Sequence, residues 1–252
     1  MAFLVGTSGF DYAHWRGPFY PRQLPPAERL AFYAERFPCV ELNVTFYRMP
    51  KVEAFRKWAS EVPDGFVFAV KASRYLTHVK RLLEPEDAVA RLIEAAENLG
   101  PHLGPYLLQL PPSMEAEPER LAETLDAFAK RRVAVEFRHS SWFTDEVMAV
   151  LRSHNAALCL VDRAGPKGPI CLTADWTYVR FHQGRSFPGP CYRDQSLLDW
   201  RDRLAELAKA RAQSSESPSG LGLDGYAFFN NDFRACAVKD AATFARMLGD
   251  PS

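Results

Sequence analysis

The sequence carries no surplus charge of either sign, 31 Lys and Arg being matched by 31 Asp and Glu. A dedicated nucleic-acid binder usually shows a basic excess, so that class is disfavoured at the outset. Cysteine is scarce and unsuited to a framework: Cys39, Cys159, Cys171, Cys191 and Cys236 are widely spaced and form no C-x-x-C pair. Neither a zinc ribbon nor a disulfide scaffold follows from them. Cys39 and Cys159 fall in apolar, strand-like runs and read as buried thiols. No apolar window reaches the roughly 20 residues needed to span a bilayer, and MAFLVGTSGFD lacks the basic and long apolar parts of a signal peptide. A reducing cytoplasm, five free thiols and no membrane partner are therefore expected. Nucleotide and zinc signatures are missing too. No G-x-G-x-x-G follows the first strand, the first loop lacks the G-K-[ST] of a phosphate loop, and no H-E-x-x-H occurs.

What is present is alternation. The chain has 252 residues, 47% of them hydrophobic and 25% charged, enough for a large buried core in one domain spanning 1–252. Strand candidates are Phe3–Ser8, Cys39–Asn43, Phe66–Lys71, Pro105–Leu110, Arg132–Arg138, Ala157–Asp162, Thr177–His182 and Gly225–Asn230. FVFAV and YLLQL are continuous apolar runs, as parallel strands covered on both faces require. Between them lie segments of helical period, such as Leu30, Tyr33, Ala34 and Phe37, or Ala88, Leu92, Ala95 and Leu99. Strand–helix alternation with short links implies parallel β/α units, and eight strands allow closure into a (β/α)8 barrel of TIM type. A doubly wound open sheet is the other arrangement. The Gly- and Pro-containing stretch Arg163–Trp176 leaves no room for a full helix between strands six and seven. The Ser- and Gly-rich Gln213–Gly222 reads as a mobile surface loop.

In a barrel of this kind the site is built from the carboxyl ends of the strands. The polar residues there are Glu41 and Asn43, with Tyr47 beyond; Lys71; Gln109; Glu136, Arg138 and His139; Asp162; Arg180 and His182; and Asn230 and Asn231. Period-two alternation puts Glu41 with Asn43, Glu136 with Arg138, and Arg180 with His182 on shared faces. One reading is a self-satisfied ionic layer capping the core. The other is a ligand site. Arg138 or Arg180 would grip a carboxylate or phosphate, and Glu136 or Glu41 would serve as a general base tuned by Lys71. Lys71 also admits a Schiff-base role. Glu41, Glu136, Asp162 and His182 make a set that suits a divalent metal, although no tight ligand spacing supports it. Phe10, Tyr12, Trp15, Phe46, Tyr47, Trp142 and Phe143 follow strands and either wall a pocket or pack the loops together. Arg185 and Arg234 add positive charge near the last helix, at a corner where many barrels bind phosphate.

GTSGFDYAHWRGPFYP, ELNVTFYRMP, FAVKASRYLTH, LLQLPPS, AVEFRHSSWF, TYVRFHQG and FFNNDFRACAVKDA resemble, in order, the motifs of the YecE-like family, known as domain of unknown function 72. The resemblance runs from about Phe3 to Leu248. It implies a TIM-like barrel and places Glu41, Asn43, Lys71, Gln109, Glu136, Arg138, His139, Arg180, His182, Asn230 and Asn231 in family motifs. It implies no particular reaction. The resulting expectation is an enzyme acting on a small polar or anionic metabolite by acid–base chemistry, with Glu41, Lys71, Glu136, Arg138 and His182 at its centre and no organic cofactor. A metal-dependent hydrolase or isomerase is the first alternative, and a non-catalytic metabolite or nucleic-acid binder the second.

Overall fold

The computed structural model describes residues 3–162, 168–182, 191–212 and 223–249. Eight strands follow in chain order: β1 (Phe3–Ser8), β2 (Cys39–Leu42), β3 (Val67–Lys71), β4 (Leu103–Gln109), β5 (Val133–Glu136), β6 (Ala157–Asp162), β7 (Trp176–Phe181) and β8 (Asp224–Phe229). They neighbour one another in sequence order and close into a barrel. The pairs β1–β8, β3–β4, β4–β5 and β5–β6 run parallel. The helices are α1 (Arg29–Ala34), α2 (Val44–Tyr47), α3 (Val52–Ser60), α4 (Glu86–Ala96), α5 (Pro118–Ala127), α6 (Asp145–Ser153), α7 (Asp194–Ala212) and α8 (Cys236–Met247). This is a TIM-like (β/α)8 fold, with no helix between β6 and β7 among the described residues. Gln213–Gly222 and Arg185, singled out in the sequence, lie outside the described residues.

The apolar runs do what their composition requires. Every residue of β2, β5 and β7 is buried, as are Pro105–Gln109 of β4. Of the expected stripe on α4, Leu92 and Ala95 face inward with Val89 and Ala96, while Ala88 is only half-buried; α6 buries Val147, Met148 and Leu151. Each of the Val, Leu and Met side chains contributes about 1.5–3 kcal/mol when fully buried. Thr144 caps α6 by accepting a hydrogen bond from the Val147 N–H.

The chain groups into two compact units. The first comprises Met1–Val40, Val161–Arg163 and Val179–Ser252. Here the first-loop aromatics pack on each other: Trp15 is wholly buried, with Tyr12 at 4.9 Å and Phe19 at 5.7 Å between ring centroids. Tyr33 locks β1, its hydroxyl accepting from the Thr7 N–H and donating to the Cys39 carbonyl. Gly6 is needed because a Cβ there would lie 2.0 Å from the Cys39 carbonyl oxygen. The expectation of five free thiols is corrected in this unit. Cys191 and Cys236 are disulfide-bonded, while Cys39, Cys159 and Cys171 are free. Cys191 precedes α7 and Cys236 opens α8, so the two helices that pack together bring their leading cysteines within 4.9 Å between Cα atoms, across 45 residues of sequence.

The second unit comprises Glu41–Leu160 and Ala164–Tyr178. Its loop aromatics also include packing residues: Trp142 stacks on Phe137 at 4.7 Å and donates its indole N–H to the Met114 carbonyl. Tyr47 does the opposite and is 79% exposed.

Candidate functional site

In the second unit, Glu41, Lys71, Gln109 and Glu136 stand at the carboxyl ends of β2 to β5, and all four are buried. Parallel register sets Gln109 beside Glu136. The strand expected over Arg132–Arg138 stops at Glu136, which leaves Arg138 on the loop beyond it. From there Arg138 Nε donates to Glu136 Oε1 at 2.8 Å, and its Nη2 donates to Gln109 Oε1 at 2.9 Å. Lys71 Nζ donates to the same Gln109 oxygen at 3.0 Å. Two cations thus share one neutral carbonyl oxygen. Glu41 accepts a 2.7 Å hydrogen bond from the Tyr178 hydroxyl. Among the described residues the buried Oδ1 of Asn43, just past β2, has no hydrogen-bond partner.

Two short segments frame this network. In α2, Thr45 is buried and its Oγ1 lies 2.6 Å from the Lys71 carbonyl oxygen. That fixes Phe46 beneath the Lys71 ammonium, 4.3 Å from its ring centroid. After β3 the backbone forms a single π-helical turn, Tyr75–Val79. Such turns are rare and recur at functional sites. Non-glycine residues with positive φ follow at Arg81, Leu82 and Glu84. Each costs on the order of 1–3 kcal/mol and persists only where its surroundings enforce it. Here the buried Leu82 side chain and a 2.7 Å Lys80–Glu84 ion pair hold the segment.

The π turn delivers His78, whose ring stands edge-on to Phe46 with 5.0 Å between centroids. Its pKa is pushed down by burial first, then by the charges of Lys71, Arg74 and Arg138. Beside this arrangement a cleft of about 750 Å³ is walled in part by Phe46, Tyr47, Arg48, Arg74, Tyr75 and Arg91. Tyr47, Tyr75 and Val79 are more than half exposed there. The side chains of Arg48, Arg74 and Arg91 make no hydrogen bond or ion pair among the described residues.

Other residues singled out in the sequence have local duties. His139 Nδ1 accepts from the Ser141 N–H and sits 2.8 Å from its hydroxyl, while Ser141 Oγ accepts from the Ala116 N–H. His139 therefore caps a turn. In the first unit, Arg180 is buried and reaches Ser8 Oγ at 3.4 Å. Asn230 Nδ2 lies 3.1 Å from His182 Nδ1, and Asn231 Nδ2 donates to Asp240 Oδ2 at 2.7 Å. Arg234 is exposed over the Phe233 ring in a left-handed turn before α8. Among the described residues no group of three or more His, Cys, Asp or Glu side chains is placed to hold a metal ion. No described helix is long and apolar enough to cross a membrane.

Of the strand-end residues singled out in the sequence, Lys71, Gln109, Glu136 and Arg138 are joined by hydrogen bonds; His78, Arg74 and Tyr178, which lie around them, were not singled out. His78 lies within FAVKASRYLTH, seven residues past the strand end, where neither a strand nor an α-helical period applies. Tyr178 pairs with a residue 137 positions away.

The family model described as protein of unknown function DUF72 matches residues 4–252. Among curated proteins, YunF of Bacillus subtilis is 28% identical, covering 75% of this chain and 79% of that protein. YecE of Escherichia coli is 34% identical, covering 59% of this chain and 65% of that protein. A solved DUF72 family structure from Thermotoga maritima superposes with a TM-score of 0.82 at 29% identity, covering 99% of this chain and 100% of that one. A second, from Enterococcus faecalis, gives a TM-score of 0.80 at 18% identity and shares the fold. Ordered motifs, the barrel and the full-length family match agree: the chain belongs to the DUF72, or YecE-like, family.

Proposed function

We propose that the protein is an enzyme acting on a small anionic metabolite by acid–base chemistry at the carboxyl ends of β2 to β5. The observation that carries this reading is the pair of cations, Lys71 and Arg138, sharing the Gln109 oxygen. Two cationic donors converging on one point suit a carboxylate or phosphate, whose oxygens accept from both. Glu136 takes part of that role for Arg138 and fixes its guanidinium plane. Arg138 keeps a quarter of its side chain exposed, so a carboxylate or phosphate can reach it. Tyr178 and Glu41 supply a second polar pair, and the buried Asn43 Oδ1 accepts a hydroxyl. Small hydroxylated acids and phosphate esters match this donor–acceptor set.

The test is a melting experiment with sodium phosphate or citrate. A ligand binding only the folded state at a hundred times its Kd stabilises by about 2.7 kcal/mol. For a chain of this size that raises Tm by ~5–10 °C. The rise should vanish in Lys71→Met, each variant being compared with itself without the anion. A wild-type Tm that stays unchanged in high phosphate and citrate refutes the anion reading. An equal rise in Lys71→Met moves the anion elsewhere.

A further inference from the structure

His78 is placed unlike the carboxylates around it. Glu41 and Glu136 are buried and accept hydrogen bonds from Tyr178 and Arg138. His78 is only partly buried and reaches solvent. Its tautomer follows from Thr77. Thr77 Oγ1 donates to the Ser73 carbonyl at 3.0 Å and also lies 2.9 Å from His78 Nδ1. A hydroxyl has one proton. Both contacts are satisfied together only when Nδ1–H donates to Thr77 and the hydroxyl donates to Ser73. The neutral ring then carries its lone pair on Nε2. The π turn makes this possible by setting Thr77 and His78 side by side over Ser73.

The groups facing His78 come from four elements. Phe46 of α2 presents its ring, β3 ends in Lys71, the loop after β5 brings Arg138, and its own segment adds Arg74 and Thr77. Lys71, Arg74 and Arg138 act on it with positive charge, that of Arg138 partly offset by its ion pair with Glu136. An imidazolium is disfavoured in that field, so the ring stays neutral and able to accept a proton until an anion arrives.

We propose that His78 is the proton-accepting group of this site, taking a proton at Nε2 from a substrate whose negative charge is held by Lys71, Arg74 and Arg138. The proposal rests on the anionic-metabolite reading above and adds to it the identity of the base. In the step, an acidic C–H or O–H bond of the substrate breaks. The proton passes to Nε2, and the electron pair stays on the substrate, facing Lys71 and Arg138. The bound anion offsets the three cations and raises the basicity of His78 only when substrate is in place. The imidazolium later returns its proton to the substrate or to water. Lys71 and Arg138 act by holding charge, and Thr77 is a positioning residue that fixes the tautomer.

The experiment is nitrogen-15 NMR of the histidine side chains of the full chain, with His78→Gln used to assign the His78 signals. Three results are expected. Nε2 resonates as an unprotonated nitrogen at pH 7. His78 titrates below the ordinary imidazole value of about 6.5. Inorganic phosphate raises its proton affinity about tenfold, as an anion within a few ångströms does. Arg74→Gln, which changes an exposed residue, should raise the His78 pKa without phosphate and weaken the phosphate response. A proton on Nε2, or a pKa at or above the ordinary value, overturns the proposal. So does phosphate that perturbs the Lys71 and Arg138 side-chain signals while leaving His78 unmoved, and in these three cases the anion site stands. Phosphate that perturbs none of these signals overturns the anion site and the role of His78 together.

Discussion

Replacing Asp240 by asparagine should make the protein more stable at neutral pH and leave it unchanged in acid. Asp240 lies on α8 and is 6% exposed. Its Oδ2 accepts from the Tyr192 N–H at 2.9 Å and from Asn231 Nδ2 at 2.7 Å. Burial nevertheless dominates and pushes its pKa up from 3.8 to about 6, with Asp194 adding a smaller push in the same direction. The folded state therefore holds the proton more tightly than the unfolded chain between pH 4 and 6. Stability must fall as pH rises through that window and level off above it. A shift of about two units, at 1.36 kcal/mol each, corresponds to roughly 3 kcal/mol lost by pH 7. Asparagine has the same shape, its single carbonyl oxygen can accept from both donors, and it does not ionise. Asp240→Asn should recover about 1–3 kcal/mol at pH 7.5, which is ~3–10 °C in Tm for a chain of this length. At pH 4 the two proteins should melt together. Thermal unfolding of both at half-unit steps from pH 4 to 8 tests this. Equal Tm values at pH 7.5, or a gap that does not close in acid, would refute the reasoning.

Arg138→Met keeps the aliphatic stem but removes two charge-assisted hydrogen bonds; because the side chain is 27% exposed, water compensates in part, and we expect a loss of about 2 kcal/mol by denaturant titration. A gain in stability would show the cation pair to be a net burden. Gly6→Ala forces a methyl to within 2.0 Å of the Cys39 carbonyl oxygen, so its cost should reach or exceed the ~3 kcal/mol upper range of overpacking; soluble protein with an unchanged Tm would contradict the close approach. Thiol titration of denatured, unreduced protein should count three thiols, and five after reduction; five in both would remove the Cys191–Cys236 bond.

Much of the barrel was legible because its signal is local. β1 and β6 have the bounds that the apolar runs give, and the other six strands differ by one to three residues at their ends. Burial on both faces demands continuous apolar sequence, and any stretch long enough shows it. The same logic located Lys71, Gln109 and Glu136, since a polar residue closing such a run must sit at a strand end. Cys191 and Cys236 show where locality stops: nothing in either motif marks a partner 45 residues away, and the wide spacing pointed the other way.

The sequence by itself determined the alternation of strands and helices, the family, and which strand ends are polar, because these depend on residue type and spacing along the chain. Only the tertiary structure decided which polar groups meet. It put two cations on the Gln109 oxygen, joined Glu41 to Tyr178, and opened a cleft beside Phe46. It also turned the backbone after β3 into a π turn, which no side-chain periodicity announces, and so brought His78 into the field of Lys71, Arg74 and Arg138. Hydrogen bonds and charge fields act through space at a few ångströms, and their partners come from segments that only folding brings together.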